Sequence, residues 1–134
     1  MAKLSVIAVD ATKSIDGIFV PYYSDIELKI ARLNNPKYEK FLQKLIEPHI
    51  REIRANNFDR DKRLDLAKQA AAKYLLVDWK NIEDENGKKI PYSPEKALEL
   101  FRDSKFVDLY NFVIEVANSA EFYRQETKVE SIKN

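Results

Sequence analysis

His49 is the single histidine of this chain, and no cysteine accompanies it. Zinc sites and nucleophile relays need several His, Cys or carboxylate groups held together, so one imidazole cannot build either of them. His49 also falls on the apolar side of a helical pattern, which predicts a packing role rather than that of a general base. The lack of cysteine fits a reducing compartment and excludes stabilisation by disulfides.

Two acidic segments could suggest a calcium site, but neither has the required spacing. A calcium-binding helix–loop–helix that starts in residues 57–61 needs Gly and Glu at later positions, and Lys stands at both. A register that uses Gly87 as the invariant glycine would begin on Ile82 and end on Ser93, without a carboxylate at either end. We interpret these segments as helix caps and turns.

Other enzymatic chemistry is equally poorly supported. The chain has only two Gly, too few for a phosphate-binding loop. Paired carboxylates such as Glu83 and Asp84 lie in a predicted open turn, where no environment would raise a pKa for acid–base catalysis. We therefore expect no catalytic residue, no metal and no cofactor.

A cluster of basic residues keeps nucleic-acid binding open as an alternative. The cluster comprises Arg51, Arg54, Arg60, Lys62 and Arg63. Carboxylates alternate with these cations, and the whole chain has 23 basic and 22 acidic residues, so there is no long-range field to attract phosphate. A solvated helix surface is the preferred interpretation.

With 134 residues and 45% hydrophobic composition, the chain is expected to fold as a single domain over residues 1–134. No apolar run reaches the roughly 20 residues of a membrane span, and no signal-peptide pattern is visible. We expect a soluble, cytoplasmic protein that does not contact a membrane.

The N-terminal region, residues 5–30, is predicted to contain a small β-hairpin. Strand patterns occur at residues 5–9, 15–23 and 26–30, and in the last of these every second residue is apolar. Pro21 has no N–H to donate, which places the hairpin at the edge of a sheet.

Residues 35–125 show the periodicity of a helical core of four to six helices. Asn35 followed by Pro36 predicts a helix start, and Pro48 predicts a kink or a break into two short helices. The fold class is therefore mainly α, a compact helical domain with a small N-terminal hairpin.

A second helix is predicted from Asp59 or Asp61 to about Val77, with Leu64 on its buried face and Trp79 at its end. A turn at residues 84–87 follows.

Ser93, followed by Pro94, predicts the start of a third helix to about Arg102. A fourth helix, from about Asp103 to Asn118, is apolar over most of its circumference, which predicts a core position or a partner interface. Residues 126–134 are charged and are expected to fray.

Three sequence blocks resemble the tail assembly chaperones of long-tailed, siphovirus-type bacteriophages. They are residues 30–38 (IARLNNPKY), residues 77–95 (VDWKNI through DENG to IPYSPE) and residues 109–123 (LYNFVIEVA followed by EFY). Their order and spacing match over nearly the whole chain, and the block from Trp79 to Pro94 is the most specific.

The resemblance implies a non-enzymatic assembly factor. Such proteins bind the tape measure protein, keep it soluble and help to recruit the tail tube protein, so the expected location is the host cell cytoplasm rather than the mature virion. A frameshifted longer form of the same protein is a further possible partner, and Ile132-Lys133-Asn134 would fit a slippery sequence.

The contact surface is expected to be aromatic. Its predicted residues are Phe122, Tyr123, Phe106, Tyr110, Phe112, Trp79 and Tyr92. For Trp79 and Tyr92 a fold-defining corner is the favoured interpretation and a docking edge the other. Two alternative functions remain open: a small phage or prophage DNA-binding regulator, and a structural tail-completion protein retained in the virion. The sequence leaves the oligomeric state undetermined.

Overall fold

The computed structural model describes residues 1–124. The predicted frayed tail and the Ile132–Asn134 frameshift candidate lie outside the described residues.

The described chain is mainly helical and carries a small antiparallel sheet, which confirms the predicted fold class. The α-helices are α1 (Ala11–Asp16), α2 (Pro36–Ile46), α3 (Ile50–Arg54), α4 (Arg60–Tyr74), α5 (Pro94–Arg102) and α6 (Val107–Ala117). The strands are β1 (Ile18–Pro21), β2 (Glu27–Ile30) and β3 (Leu76–Lys80). Short 3₁₀ turns occur at Leu4–Val6, Glu47–His49, Ser104–Phe106 and Glu121–Tyr123.

Local capping chemistry explains where the predicted helices begin. The Asn35 side chain accepts a hydrogen bond from the backbone N–H of Tyr38 at 2.8 Å, and Ser93 Oγ accepts one from the N–H of Lys96 at 3.0 Å. Each cap is followed by a proline in the first helical turn. The predicted break at Pro48 is also confirmed, because a 3₁₀ turn separates α2 from α3 there.

The sheet has the order β1-β2-β3, with both pairs antiparallel. The predicted hairpin is confirmed as β1 and β2, and Pro21 lies in the edge strand β1. β3 was not predicted. The prediction of a helix to Val77 ending at Trp79 is wrong, because α4 ends at Tyr74 and the chain then pairs with β2. This pairing joins segments about fifty residues apart, which local periodicity does not report.

The N-terminal strand predicted at residues 5–9 is also wrong. Leu4–Val6 is a 3₁₀ turn, and of this segment only Val9 forms an isolated bridge, to Arg124. Asp10 then caps α1 by accepting hydrogen bonds from the N–H groups of the next turn. The cap turns the chain before a strand can extend.

The core lies between the sheet and the helices, and α4 packs against both α2 and α5. Ala70, Ala71 and Ala72 are buried on α4, so their small side chains permit this close packing on two sides. Leu64 was predicted to be buried but is 45% exposed, because it lies in the early part of α4, before the buried alanines. The largest fully buried side chains include Leu28, Ile30, Leu75, Leu76, Phe101, Val113 and Tyr123.

An ion pair joins the surfaces of α4 and α5. Arg102 Nε donates to one Asp65 oxygen at 2.8 Å and Arg102 Nη2 donates to the other at 2.9 Å. These hydrogen bonds lower the pKa of Asp65. Over residues 1–124, no helix is both long enough and apolar enough to span a bilayer.

Candidate protein-binding groove

A groove of about 630 Å³ opens between the β-hairpin and the C-terminal helices. It is lined by the β1–β2 turn, β2, the turn after β3, α5, the Ser104–Phe106 turn and the start of α6. Its apolar lining is formed by Ile26, Leu28, Ile82, Ile90, Leu100 and Leu109. Leu28 and Leu109 are also part of the core, so the apolar lining is continuous with the interior of the domain.

Aromatic side chains stand at the mouth of the groove. Tyr23 is 70% exposed and Phe106 is 38% exposed, although both line the groove. Tyr22 packs between Tyr23 and the helical core, since its ring centroid lies 4.7 Å from that of Tyr23 and 4.6 Å from that of Phe112. Burial raises the pKa of Tyr22, with Tyr23 and Asp108 adding to the effect. Tyr22 is therefore an anchoring ring and Tyr23 an accessible one.

The turn after β3 forms one wall because its geometry is fixed locally. Asp84 Oδ1 accepts hydrogen bonds from the N–H groups of Asn86 and Lys88, both at 2.9 Å. Gly87 has a φ of 79°, the left-handed region that glycine adopts without a side-chain clash. The Ile90 N–H donates to the Ile82 carbonyl at 2.8 Å, which closes a small hairpin around the predicted turn.

The rim of the groove is acidic. Two lysines, Lys96 and Lys105, also line it. Each lysine already pairs with a rim carboxylate: Lys96 with Glu99 at 3.2 Å, and Lys105 with Asp103 at 3.8 Å. The six carboxylates of the rim are Glu83, Asp84, Glu85, Glu99, Asp103 and Asp108.

The predicted contact residues Trp79 and Tyr92 form an internal corner. Trp79 Nε1 donates to the Ile90 carbonyl at 2.8 Å, and the two rings meet edge to face at 5.1 Å. The Tyr92 hydroxyl lies 2.8 Å from the Ala72 carbonyl and 2.6 Å from the Leu76 carbonyl. Trp79 is buried and Tyr92 half-buried, so this cluster fixes the chain after β3 as the favoured interpretation predicted.

Tyr123 was predicted to contact a partner, but the structure buries it, so this prediction is wrong. It is fully buried, and its hydroxyl donates to the Ile30 carbonyl at 2.7 Å. Tyr123 is thus a core residue that joins the C-terminal turn to β2. The neighbouring Phe122 is half-buried and packs against the same core.

The other predicted residues divide between support and surface. Tyr110 is half-buried with its ring 5.2 Å from that of Phe101, and burial raises the pKa of Tyr110 to about 12. Phe112 is half-buried and supports Tyr22. Of the predicted set, Phe106 alone lines the groove. Tyr22 and Tyr23 were missed; the available signal was two adjacent aromatics at the edge of a predicted turn.

The basic cluster does not form a carboxylate-free face in the described structure. Its arginines and lysine are exposed on α3 and the first turn of α4, where Asp59 caps the helix and Glu52 lies beside the cations. His49 stacks on Phe58 at 4.8 Å and contacts Glu52 at 3.5 Å, so its packing is at the surface. Within residues 1–124, no group of three or more potential metal ligands comes together.

A family model described as YdaY prophage protein matches residues 33–134, which is most of the chain. The chain belongs to the YdaY prophage protein family. This membership establishes a phage or prophage protein, which confirms the broader part of the resemblance described above. Neither a curated protein nor a solved structure matches the chain significantly.

The YdaY match covers one side of the groove. The turn after β3, α5 and α6 lie inside the matched region, whereas β1, β2 and their turn precede residue 33. Tyr22 and Tyr23 therefore belong to the part of the chain that the YdaY family model leaves out.

Proposed function

We propose that this prophage protein is a tail assembly chaperone that binds the tape measure protein through the groove and acts without catalysis. The observation that carries the proposal is the open apolar groove, with exposed Tyr23 and Phe106 at its mouth. Exposed aromatic and apolar surface of this kind is typical of protein-binding sites. The YdaY family membership and the resemblance to tail assembly chaperones support the phage-assembly role.

The chemistry of the groove fits an amphipathic helix as the bound element. The apolar lining comes from a hairpin, a turn and two helices rather than from one sheet edge, which favours contact through side chains over strand addition. A helix presents apolar side chains at positions i, i+3, i+4 and i+7, and a long tail protein would repeat such segments.

The proposed mechanism is mass action. Each bound chaperone covers an apolar segment of the tape measure protein and lowers the concentration of free chains that self-associate. Tail tube subunits then displace the chaperone, which leaves before the virion matures. A frameshifted longer form would supply the link to the tube subunits, and the site of action would be the host cytoplasm.

Co-expression with the tape measure protein of the same prophage tests the proposal. The wild-type chain should keep that partner soluble and be recovered with it in a pull-down. The double variant Tyr23→Ala/Phe106→Ala should lose most of the recovery, because it removes both exposed aromatics of the groove.

The matched control is Leu64→Ala/Ile50→Ala, which removes two apolar side chains of similar exposure, 45% and 39%, outside the groove lining. This control should retain recovery, and circular dichroism should show both variants folded. If the groove variant and the control recover the same amount of partner, the binding site lies outside the groove. A partner that stays insoluble beside the wild-type chain would overturn the chaperone role.

Mass spectrometry of purified particles separates the chaperone from a tail-completion protein. The proposal expects the chain to be absent from mature virions although abundant in the producing cells. Its stoichiometric presence in particles would instead support the structural role.

A further inference from the structure

The charge of the groove indicates which kind of helix it can bind, which the shape of the groove alone does not. Six carboxylates and two lysines line it, and both lysines are paired with rim carboxylates. Among residues 1–124, no Lys or Arg lies within ion-pair distance of Glu83, Glu85 or Asp108. The lining therefore has more carboxylates than cations, although Lys89 lies opposite Glu83 in the β-bridge that closes the turn after β3.

The carboxylates come from separate elements of the groove lining. Glu83 and Glu85 lie on the turn after β3, and Asp108 lies at the start of α6. A ligand seated on the accessible part of the apolar lining would therefore lie near carboxylates from more than one element. The phosphates of a nucleic acid and the acidic face of a helix would both be repelled.

We infer that the groove binds a basic amphipathic helix, with its apolar face on the lining and its Lys or Arg side chains at the acidic rim. This inference rests on the proposed function, of which it specifies the partner segment: a lysine- or arginine-rich stretch of the long helical partner. Long basic side chains suit this position because their apolar stems cover the lining while their charged ends reach the rim.

Tyr23 and Phe106 provide the second part of the recognition. Both rings are exposed at the mouth, and a cation that passes them could lie over an aromatic face. The chain already uses this contact at the rim, where Lys105 Nζ lies 5.9 Å from the centroid of the Phe106 ring. An incoming lysine or arginine would make the same kind of contact in place of Lys105 or beside it.

Fluorescence anisotropy with three designed helical peptides tests the inference. The peptides share one apolar face, and their polar faces carry Lys, Glu or Gln. The Lys peptide should bind the wild-type chain at least about tenfold more tightly than the Glu peptide, because complementary charges attract and like charges repel. The preference should shrink as salt is added, since the Debye length falls from about 10 Å at 0.1 M to about 3 Å at 1 M.

The variant Glu83→Lys/Glu85→Lys places positive charge on the groove wall and should weaken binding of the Lys peptide while it strengthens binding of the Glu peptide. The matched control is Glu39→Lys/Glu115→Lys, which makes the same change in net charge at exposed helix positions outside the groove lining. This control should retain most of the preference for the Lys peptide.

Three results would overturn the inference: equal affinity for all peptides, equal effects of the groove variant and its control, and displacement of the Lys peptide by a DNA duplex at the same groove. Co-expression separates these failures from failure of the proposed function. If Glu83→Lys/Glu85→Lys keeps the partner as soluble as the wild-type chain does, the chaperone role stands and the basic-helix inference is rejected. A charge-selective groove without rescue would keep the groove chemistry and reject the chaperone role.

Discussion

At the scale of single residues, Tyr123 shows how one hydroxyl connects distant parts of the chain. Its O–H donates to the Ile30 carbonyl at 2.7 Å, and Arg32 lies over its ring at 5.7 Å from the centroid. The bond joins the last 3₁₀ turn to β2, and both partners are buried. It therefore holds the C-terminal end of the described chain on the sheet.

Tyr123→Phe should lower the free energy of unfolding by about 1–3 kcal/mol, because the Ile30 carbonyl would be left buried without its donor. Urea denaturation followed by Trp79 fluorescence measures the change. The control is Tyr23→Phe, which removes a hydroxyl from a side chain that is mostly exposed and should alter stability by less than about 0.5 kcal/mol. Equal effects in the two variants would show that the buried hydrogen bond does not contribute as described.

Residues whose role is set by near neighbours in sequence were predictable, and Tyr123 was not. Asn35 and Ser93 cap helices through N–H groups three residues away, so the sequence contains the whole interaction. Tyr123 depends on a carbonyl 93 residues away. An aromatic pair at residues 122 and 123 has the same sequence signature whether it faces solvent or the core.

At the scale of elements, the two glycines both end segments with a positive φ, but in different surroundings. Gly17 has a φ of 87° between α1 and β1, and Gly87 has a φ of 79° in the turn after β3. A Cβ built at Gly17 would lie 3.0 Å from the Ile30 carbonyl carbon, whereas one built at Gly87 meets no atom within 4 Å. A Cβ at residue 17 would therefore press against the backbone of β2 in addition to adopting a positive φ, whereas a Cβ at residue 87 would only have to adopt the positive φ.

Gly87→Ala should therefore destabilise the fold by about 1–2 kcal/mol, the cost of a left-handed conformation for a residue with a Cβ. Gly17→Ala should cost more, because the added methyl group also pushes against the backbone of β2. Urea denaturation of both variants, compared at one temperature, measures the difference. Equal destabilisation would mean that β2 moves away from residue 17 without a measurable cost.

The same contrast between local and distant determinants explains which elements the sequence predicted. Helix α5 and the turn before it follow from residues 84–95 alone, through a cap, a proline and a glycine. β3 needed β2 as its partner, and its residues continue the apolar run of α4 without a break. A helix and a buried strand look alike in so short an apolar run.

At the scale of the whole molecule, the groove is a product of the assembled fold. Its lining comes from the hairpin, the turn after β3 and the C-terminal helices, which no single stretch of sequence brings together. Phe106 is predictable as a contact residue from its place in an apolar helical pattern. The adjacent aromatics Tyr22 and Tyr23 are visible in the sequence, but which of the two rings is exposed depends on the packing of Tyr22 against Phe112.

Three tyrosines that are buried or half-buried give the whole domain a pH dependence. Burial raises the pKa of Tyr92 and of Tyr123 well above the usual range, and it raises the pKa of Tyr110 to about 12. In the unfolded chain these phenols ionise near pH 10. Between these pH values the folded state retains protons that the unfolded state has released, so the free energy of unfolding must fall as pH rises.

We therefore expect the tyrosine contribution to stability to be fully present below about pH 10 and to be lost progressively as the pH rises toward about 12. The urea midpoint measured between pH 9 and pH 11.5 should decrease most steeply above pH 10, while tyrosinate absorbance should show a group of phenols that ionise only as the protein unfolds. Tyr123→Phe removes one of these phenols, so its urea midpoint should start lower and decline less steeply than that of the wild type. Parallel declines in the two proteins would contradict this prediction, because they would mean that Tyr123 ionises at the same pH in the folded and the unfolded state.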